Sequence, residues 1–265
     1  DREDSFIANY RNPHKPNYKY GKSFILKGER FANNGMGVMH AFMSVSQIKA
    51  AAKKYDASIN EYIVATYIYS AYKNNIRKVT EKRPIRVAVP VNLRPYFESY
   101  TTKNFFAMVS AEFIPKDADY DFTGIMEITK KSLREQITKE NLEAVFSYNV
   151  SNEMITPLRA VPLPVKNVAM NYVYLKSAAA NTTTITNIGN IKVESEYEKY
   201  IENFLCCLSF SKGQYLKATI VSYKDTLVLT YTSAFVDTSI QRGVFLQIAS
   251  DGVEVSVETN GVYYG

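Results

Sequence analysis

The sequence predicts an α/β (α+β) fold: a mixed, largely antiparallel sheet with helices packed on it. Three observations carry the prediction. Strand-like and helix-like apolar periods alternate through the first half, the middle is helical in pieces, and the last third runs through strands in close succession.

Residues 1–34, rich in Tyr, Lys, Asn and Pro and without an apolar period, read as an extended lead-in or linker wrapped on a surface. The folded body is expected over 35–265. "MGVMHAFMSV", residues 36–45, reads as a buried strand. Ser44 with Gln47 then opens a short helix that places Ile48, Ala51, Ala52 and Tyr55 on one face. Ser58 and Glu61 form a second capping pair in front of "YIVATYIYSAY", a run so apolar on all sides that a buried helix is expected, ending near Asn74-Asn75. Residues 85–91 and 105–114 are strand-like and bounded by Pro84, Pro90 and Pro115. Ile125, Thr129, Leu133 and Ile137 recur at helical spacing, with Lys130, Lys131 and Arg134 suited to the negative end of that helix's dipole. Residues 140–178 read as helix broken by Pro157, Pro162 and Pro164. "TTTITNIG", "FLCCLSF", "YLKATIVSY" and "TLVLTYTSAF" read as successive strands, the last two joined by a hairpin at Lys224-Asp225. A helix near 237–250 and a strand near 253–258 close the chain.

The 265 residues, 46% of them hydrophobic, can remove roughly three quarters of the unfolded surface from water, as one large domain or two small ones. Thirty-two Lys and Arg against 26 Asp and Glu leave a net charge of +6, but pairs such as Lys53-Lys54, Arg77-Lys78 and Lys130-Lys131 are scattered. A solvated surface is expected rather than a nucleic-acid stripe. Cys206 and Cys207 are adjacent, where a disulfide would be strained, so a reducing, cytoplasmic setting is expected. No run reaches the roughly 18 apolar residues of a membrane span. Asn149-Val-Ser and Asn181-Thr-Thr match the glycosylation pattern, and chance matches are expected, since "DREDSF" does not read as a secretory signal. The chain has no initiator Met and is expected to be a piece of something longer.

Most familiar chemistry is missing. Gly35-x-Gly37 lacks a third glycine, and no phosphate-binding loop, paired-cysteine motif or nucleophile elbow occurs. His14 and His40 are the only histidines; His14 falls in the lead-in, and His40 is expected to be a hydrogen-bonded residue on a buried strand. The tyrosines that can be placed, Tyr62, Tyr67 and Tyr69, fall on the buried helix and are read as core.

"INEYIVATYIYSAY", then "RVAVPVNLRPYF", "KNFF" and, much later, "TTTITNIGNI" resemble in order and spacing the second half of the chloramphenicol acetyltransferase-like and condensation-domain superfamily, nearest to bacterial alcohol acetyltransferase-like proteins. The resemblance covers nearly the whole chain. It implies two similar lobes meeting at a tunnel, a coenzyme A thioester as acyl donor and a small alcohol or amine as acceptor, with no metal. The first lobe of such proteins carries His-His-x-x-x-Asp-Gly, whose second His is a general base worth on the order of 10²- to 10⁴-fold in rate. Here the only Asp-Gly is Asp251-Gly252, and Leu246 and Gln247 stand where the histidines would be. The chain is therefore expected to be the C-terminal lobe alone, inactive without the missing N-terminal lobe. The alternative is a non-catalytic binding or scaffolding module.

Six residues are candidates for the tunnel wall or the lobe interface. Arg94 could bridge lobes or meet a phosphate, against an interior salt bridge. Asn92 and Asn104 could line the tunnel, against simply holding a corner. Thr186, Asn187 and Gly189 could offer a donor to a developing oxyanion, against a plain turn in which Gly189 supplies a positive φ. A lobe without its mate is also expected to expose an apolar face or a free strand edge, and so to form a homodimer.

Overall fold

The computed structural model describes residues 4–11, 21–76, 83–116, 119–153 and 161–263. His14, the Arg77-Lys78 pair and Pro157 lie outside them. Seven strands form one mixed sheet. In chain order they are β1 (Gly37–Ser44), β2 (Ile85–Asn92), β3 (Phe106–Phe113), β4 (Thr183–Asn190), β5 (Leu216–Tyr223), β6 (Thr226–Ser233) and β7 (Ser256–Thr259). Across the sheet the order is β3-β2-β4-β5-β6-β1-β7. Only the β2–β4 and β4–β5 pairings are parallel; the rest are antiparallel, as the sequence predicts.

The helices of the body are α2 (Val45–Lys53), α3 (Ile59–Ala71), α4 (Phe122–Gln136), α5 (Lys139–Glu153), α6 (Leu163–Ala178) and α7 (Ser239–Ser250), preceded by the single turn α1 (Ser5–Ala8). Both capping pairs form. Ser44 Oγ accepts from Gln47 N, and Ser58 and Glu61 make the reciprocal box. Helix α3 is buried on nearly every side and sits centrally in the core, against α4, α7 and β2. Tyr62 and Tyr67 are wholly enclosed there, and Tyr69 is half-buried. Gly243 of α7 lets α3 come close: a Cβ at that position would stand 2.2 Å from Ser70 Oγ.

Helix α4 does more than its apolar stripe requires. Ser132 Oγ accepts from Glu112 N, and Gln136 accepts from Ser110 N and donates to Ser110 O, so the outer edge of β3 is occupied by side chains instead of left open. Its basic residues act on neighbours more than on its own dipole. Lys130 is buried with Nζ on Tyr55 O, and Arg134 reaches Glu61 Oε1 at 2.8 Å. Burial pushes the Glu61 carboxyl up, but hydrogen bonds from Arg134 and Ser58 outweigh it and hold it below the usual carboxylate range.

Three expectations need correction. Pro162 and Pro164 begin α6 rather than break it, because the first turn of a helix needs no N–H from proline. "FLCCLSF" belongs to no ladder of the sheet. Finally, described parts of the lead-in do more than wrap a surface; they enter the core. Phe6 packs edge-on to Phe105 at 4.9 Å, Leu26 is buried, and Ser23, Phe24 and Phe31 donate backbone hydrogen bonds to Ala179, Pro84 and Ala234.

Candidate functional site

The Asn-Leu-Arg-Pro corner is built from the inside out. Leu93 is fully buried in the core that also holds Phe97 and Phe105; its N–H donates to Phe105 O at 3.1 Å and its carbonyl accepts from Tyr96 N and Phe97 N. That buried leucine turns the chain back onto β3. Asn92 and Arg94 stay at the surface and lock the turn. Asn92 Oδ1 accepts from Arg94 N at 3.2 Å, and Arg94 Nη2 donates to Thr101 O at 3.1 Å and Lys103 O at 2.7 Å. Arg94 makes no ion pair among the described residues, so the interior salt bridge is replaced by a clasp on backbone carbonyls. Asn104 is exposed on the returning segment, and its side chain has no hydrogen bond among the described residues.

The Thr-Asn-x-Gly segment is not a turn following a strand. Strand β4 continues to Asn190, and its register with β5 shifts between Asn187 and Gly189, leaving Ile188 as an exposed bulge residue. Gly189 has φ +86°, and Asn187 Oδ1 accepts from Gly189 N at 2.8 Å. Asn187 is thus committed to shaping the bulge. Thr186, half-buried just before it, keeps a hydroxyl with no partner among the described residues.

Topology brings the two features to the same end of the sheet. Strands β2 and β4 run parallel but pair only at Val87–Thr183 and Ala88–Thr184; beyond that each continues without the other. The corner closes one strand end and the bulge the other. A crevice outside the carboxyl ends of neighbouring parallel strands is where open sheets bind ligands. Asn92 and Arg94 stand at the end of β2, and Thr186, Asn187 and Gly189 toward the end of β4.

A row of polar side chains runs from Thr186 across the face opposite the core. The registers align Thr186, Thr219, Thr230, His40 and Glu258, one from each of β4, β5, β6, β1 and β7. His40 Nδ1 lies 2.8 Å from Thr230 Oγ1. Burial lowers the His40 pKa, and Glu258 partly offsets this, so a neutral ring is favoured near pH 7. In the next row, Lys217 stands beside Thr232; its pKa is lowered by burial, and no acidic partner reaches it among the described residues. Period-two spacing in "LKATIVSY" and "TLVLTYTS" already puts these residues on one face. Which face it is, and which strands are neighbours, depends on register.

His40 lines neither of two surface depressions, one of about 490 Å³ beside Phe42, Ser44 and Asp225, the other of about 430 Å³ beside Arg30, Phe210 and Tyr215. Asp251-Gly252 has a structural task. The Asp251 carboxylate accepts from Tyr55 Oη at 2.8 Å and Tyr62 Oη at 2.5 Å, tying α3 and the turn after α2 to the end of α7. No group of three His, Cys, Asp or Glu among the described residues could hold a metal.

Solved structures share this arrangement of strands and helices. The trichothecene 15-O-acetyltransferase of Fusarium sporotrichioides matches 93% of the chain with a TM-score of 0.50 and 15% identity. The epimerization domain from the third module of tyrocidine synthetase B also matches 93%, with a TM-score of 0.50 and 9% identity. The chain shares the fold of these proteins. A nonribosomal peptide synthetase reaches a TM-score of 0.55 over 86% of the chain at 12% identity. The chain spans 50% of the length of the acetyltransferase, 52% of the epimerization domain and 22% of the synthetase. No protein-family model and no curated protein matches it by sequence. At such identities the likeness is one of fold, so the site stands on its own geometry.

Proposed function

We propose that the chain is the C-terminal half of an acyltransferase that moves an acyl group from a coenzyme A thioester to a small alcohol or amine. The observation that supports this reading most is that 93% of the chain matches an acetyltransferase of which it spans only 50%. The proton-abstracting base belongs to the other half, since Leu246 and Gln247 stand where the motif's histidines would be and Asp251 is held by two tyrosines.

This half supplies the opposing wall of the reaction channel. The free Thr186 hydroxyl is its donor to the tetrahedral oxyanion, and the Asn187–Gly189 bulge fixes the direction of that donor. Arg94 and Asn92 keep the end of β2 rigid.

The test is thiol release from acetyl-coenzyme A and longer acyl-coenzyme A donors, with a panel of alcohols and amines, by the polypeptide that contains both halves. Thr186→Val should lower kcat by roughly 10²-fold with little change in KM, the size expected for losing one oxyanion donor. Turnover by the 265-residue chain alone, or a Thr186→Val enzyme as fast as its parent, would refute the assignment.

A further inference from the structure

The amino ends of β1 and β5 and the carboxyl end of β6 lie at the end of the sheet opposite the carboxyl ends of β2 and β4. There a depression of about 430 Å³ is lined chiefly by Arg30, Phe31, Asn33, Asn34, Phe210 and Tyr215. Its parts are tied to the sheet. Phe31 N donates to Ala234 O and Val236 N to Glu29 O, while Thr219 and Thr232 donate to Cys206 O and Leu208 O of the segment that ends at Phe210. The Phe210 ring is 6.3 Å from that of Tyr215.

The Arg30 guanidinium lies 4.4 Å from the centroid of the Tyr215 ring, an attraction to the ring that occupies none of its N–H donors. Among the described residues no acid or carbonyl takes them. A stacked arginine alone is ordinary surface. The same depression, however, is lined by two amides on an unusual backbone, since Asn33 and Asn34 both have φ 55°. Asparagine tolerates that left-handed region when its side chain bonds locally. Here neither side chain has a hydrogen bond among the described residues, and strained residues of this kind gather at ligand sites.

We infer that this depression is a second ligand site, one that takes a singly charged aromatic carboxylate. The carboxylate meets the free fork of Arg30 in two parallel hydrogen bonds. The ring packs among Phe31, Phe210 and Tyr215, and the Asn33 and Asn34 amides bond a hydroxyl on it. A single cation, with no lysine in the lining, is too little charge for a polyphosphate. The volume falls within the range of small-molecule sites. Eight-residue β5 separates this end of the sheet from the other by roughly 25 Å, so the site is distinct from the crevice. Every residue it needs is in this chain, and binding requires no turnover, so it stands or falls apart from the acyl-transfer reading.

Calorimetric titration of 4-hydroxybenzoate into the 265-residue chain is the test. Binding should saturate with a Kd below about 1 mM. Arg30→Gln should weaken it by at least about 10-fold and Tyr215→Leu by about 10-fold, with the urea midpoint showing that each variant is folded. The uncharged 4-hydroxybenzamide should bind at least about 10-fold more weakly than the acid. Replacing Asn33 and Asn34 together by Gly relaxes the backbone, so the urea midpoint should not fall while affinity for 4-hydroxybenzoate drops by about 10-fold. No saturation up to about 10 mM overturns the inference. So does undiminished affinity in Arg30→Gln, or in the double glycine variant, or for the benzamide. Hexanoate bound as tightly as 4-hydroxybenzoate would remove the aromatic specificity and overturn it as well. Displacement of 4-hydroxybenzoate by acetyl-coenzyme A would place the depression in the reaction channel and overturn its standing as a second site.

Discussion

Replacing Asp251 by Ala should unfold the chain more readily without touching any reacting group. The carboxylate sits where α7 ends and takes hydroxyls from Tyr55 at 2.8 Å and Tyr62 at 2.5 Å, with Gln247 Nε2 at 3.3 Å. A hydrogen bond to a charged group contributes roughly 1.5–3 kcal/mol. The bond from fully buried Tyr62 counts near the top of that range, the bond from half-buried Tyr55 is discounted for solvent, and the long amide contact adds little. The expected loss for Asp251→Ala is about 3–4 kcal/mol, part of it the stranded Tyr62 hydroxyl. Urea denaturation with an unchanged slope is the measurement. A loss below about 1 kcal/mol would show that the tyrosine clasp does not hold the helices together. The pH dependence gives a second reading. Burial and Asp251 push the Tyr55 hydroxyl up to about 12 and Tyr62 higher still. Because the folded pKa exceeds the unfolded value near 10, this stabilisation is fully present below about pH 10 and is lost as pH rises through the folded values. Tyr55→Phe should flatten that alkaline limb.

Gly243→Ala should cost about 1–3 kcal/mol, because its Cβ meets Ser70 Oγ in the α3–α7 contact, whereas Gly189→Ala, with open space around it, should cost only about 1 kcal/mol for its positive φ; thermal unfolding of the two variants separates packing from strain. Glu61 is held below the usual carboxylate range, so its stabilisation is present above about pH 4.3 and lost as pH falls through its lower folded value. In Glu61→Gln the stability should vary less with pH below about 4, as acid titration followed by circular dichroism will show. Arg94→Ala releases the carbonyls of Thr101 and Lys103. Stability should change by no more than about 1 kcal/mol, while hydrogen exchange across residues 95–104 quickens; unchanged exchange there would mean the clasp is idle.

Local signals were legible wherever the information is local. Ser44-x-x-Gln47 and Ser58-x-x-Glu61 mark helix starts because the cap and the N–H that donates to it lie within one turn. The apolar Tyr62–Tyr72 run forecasts a central helix because only burial on all sides can accommodate it. Gly189 could be assigned a positive φ, and the Asn92–Arg94 segment a corner, before any neighbour was known. The Arg94 clasp was not legible, since nothing local distinguishes an arginine that will hold Thr101 and Lys103 carbonyls from one that will meet a carboxylate.

The sequence by itself determined the elements, their order and the inward or outward alternation of each strand, because these depend on periods of 2 and 3.6 residues along the chain. Only the tertiary structure decided that Thr186, Thr219, Thr230, His40 and Glu258 share one row, that β2 and β4 part company after two residues, and that "FLCCLSF" lies over the sheet instead of within it. Those outcomes depend on which strand finds which neighbour. Pairing is a competition among distant segments for the same backbone donors and acceptors, and residues 202–210 have a strand's composition but join no ladder among the described residues.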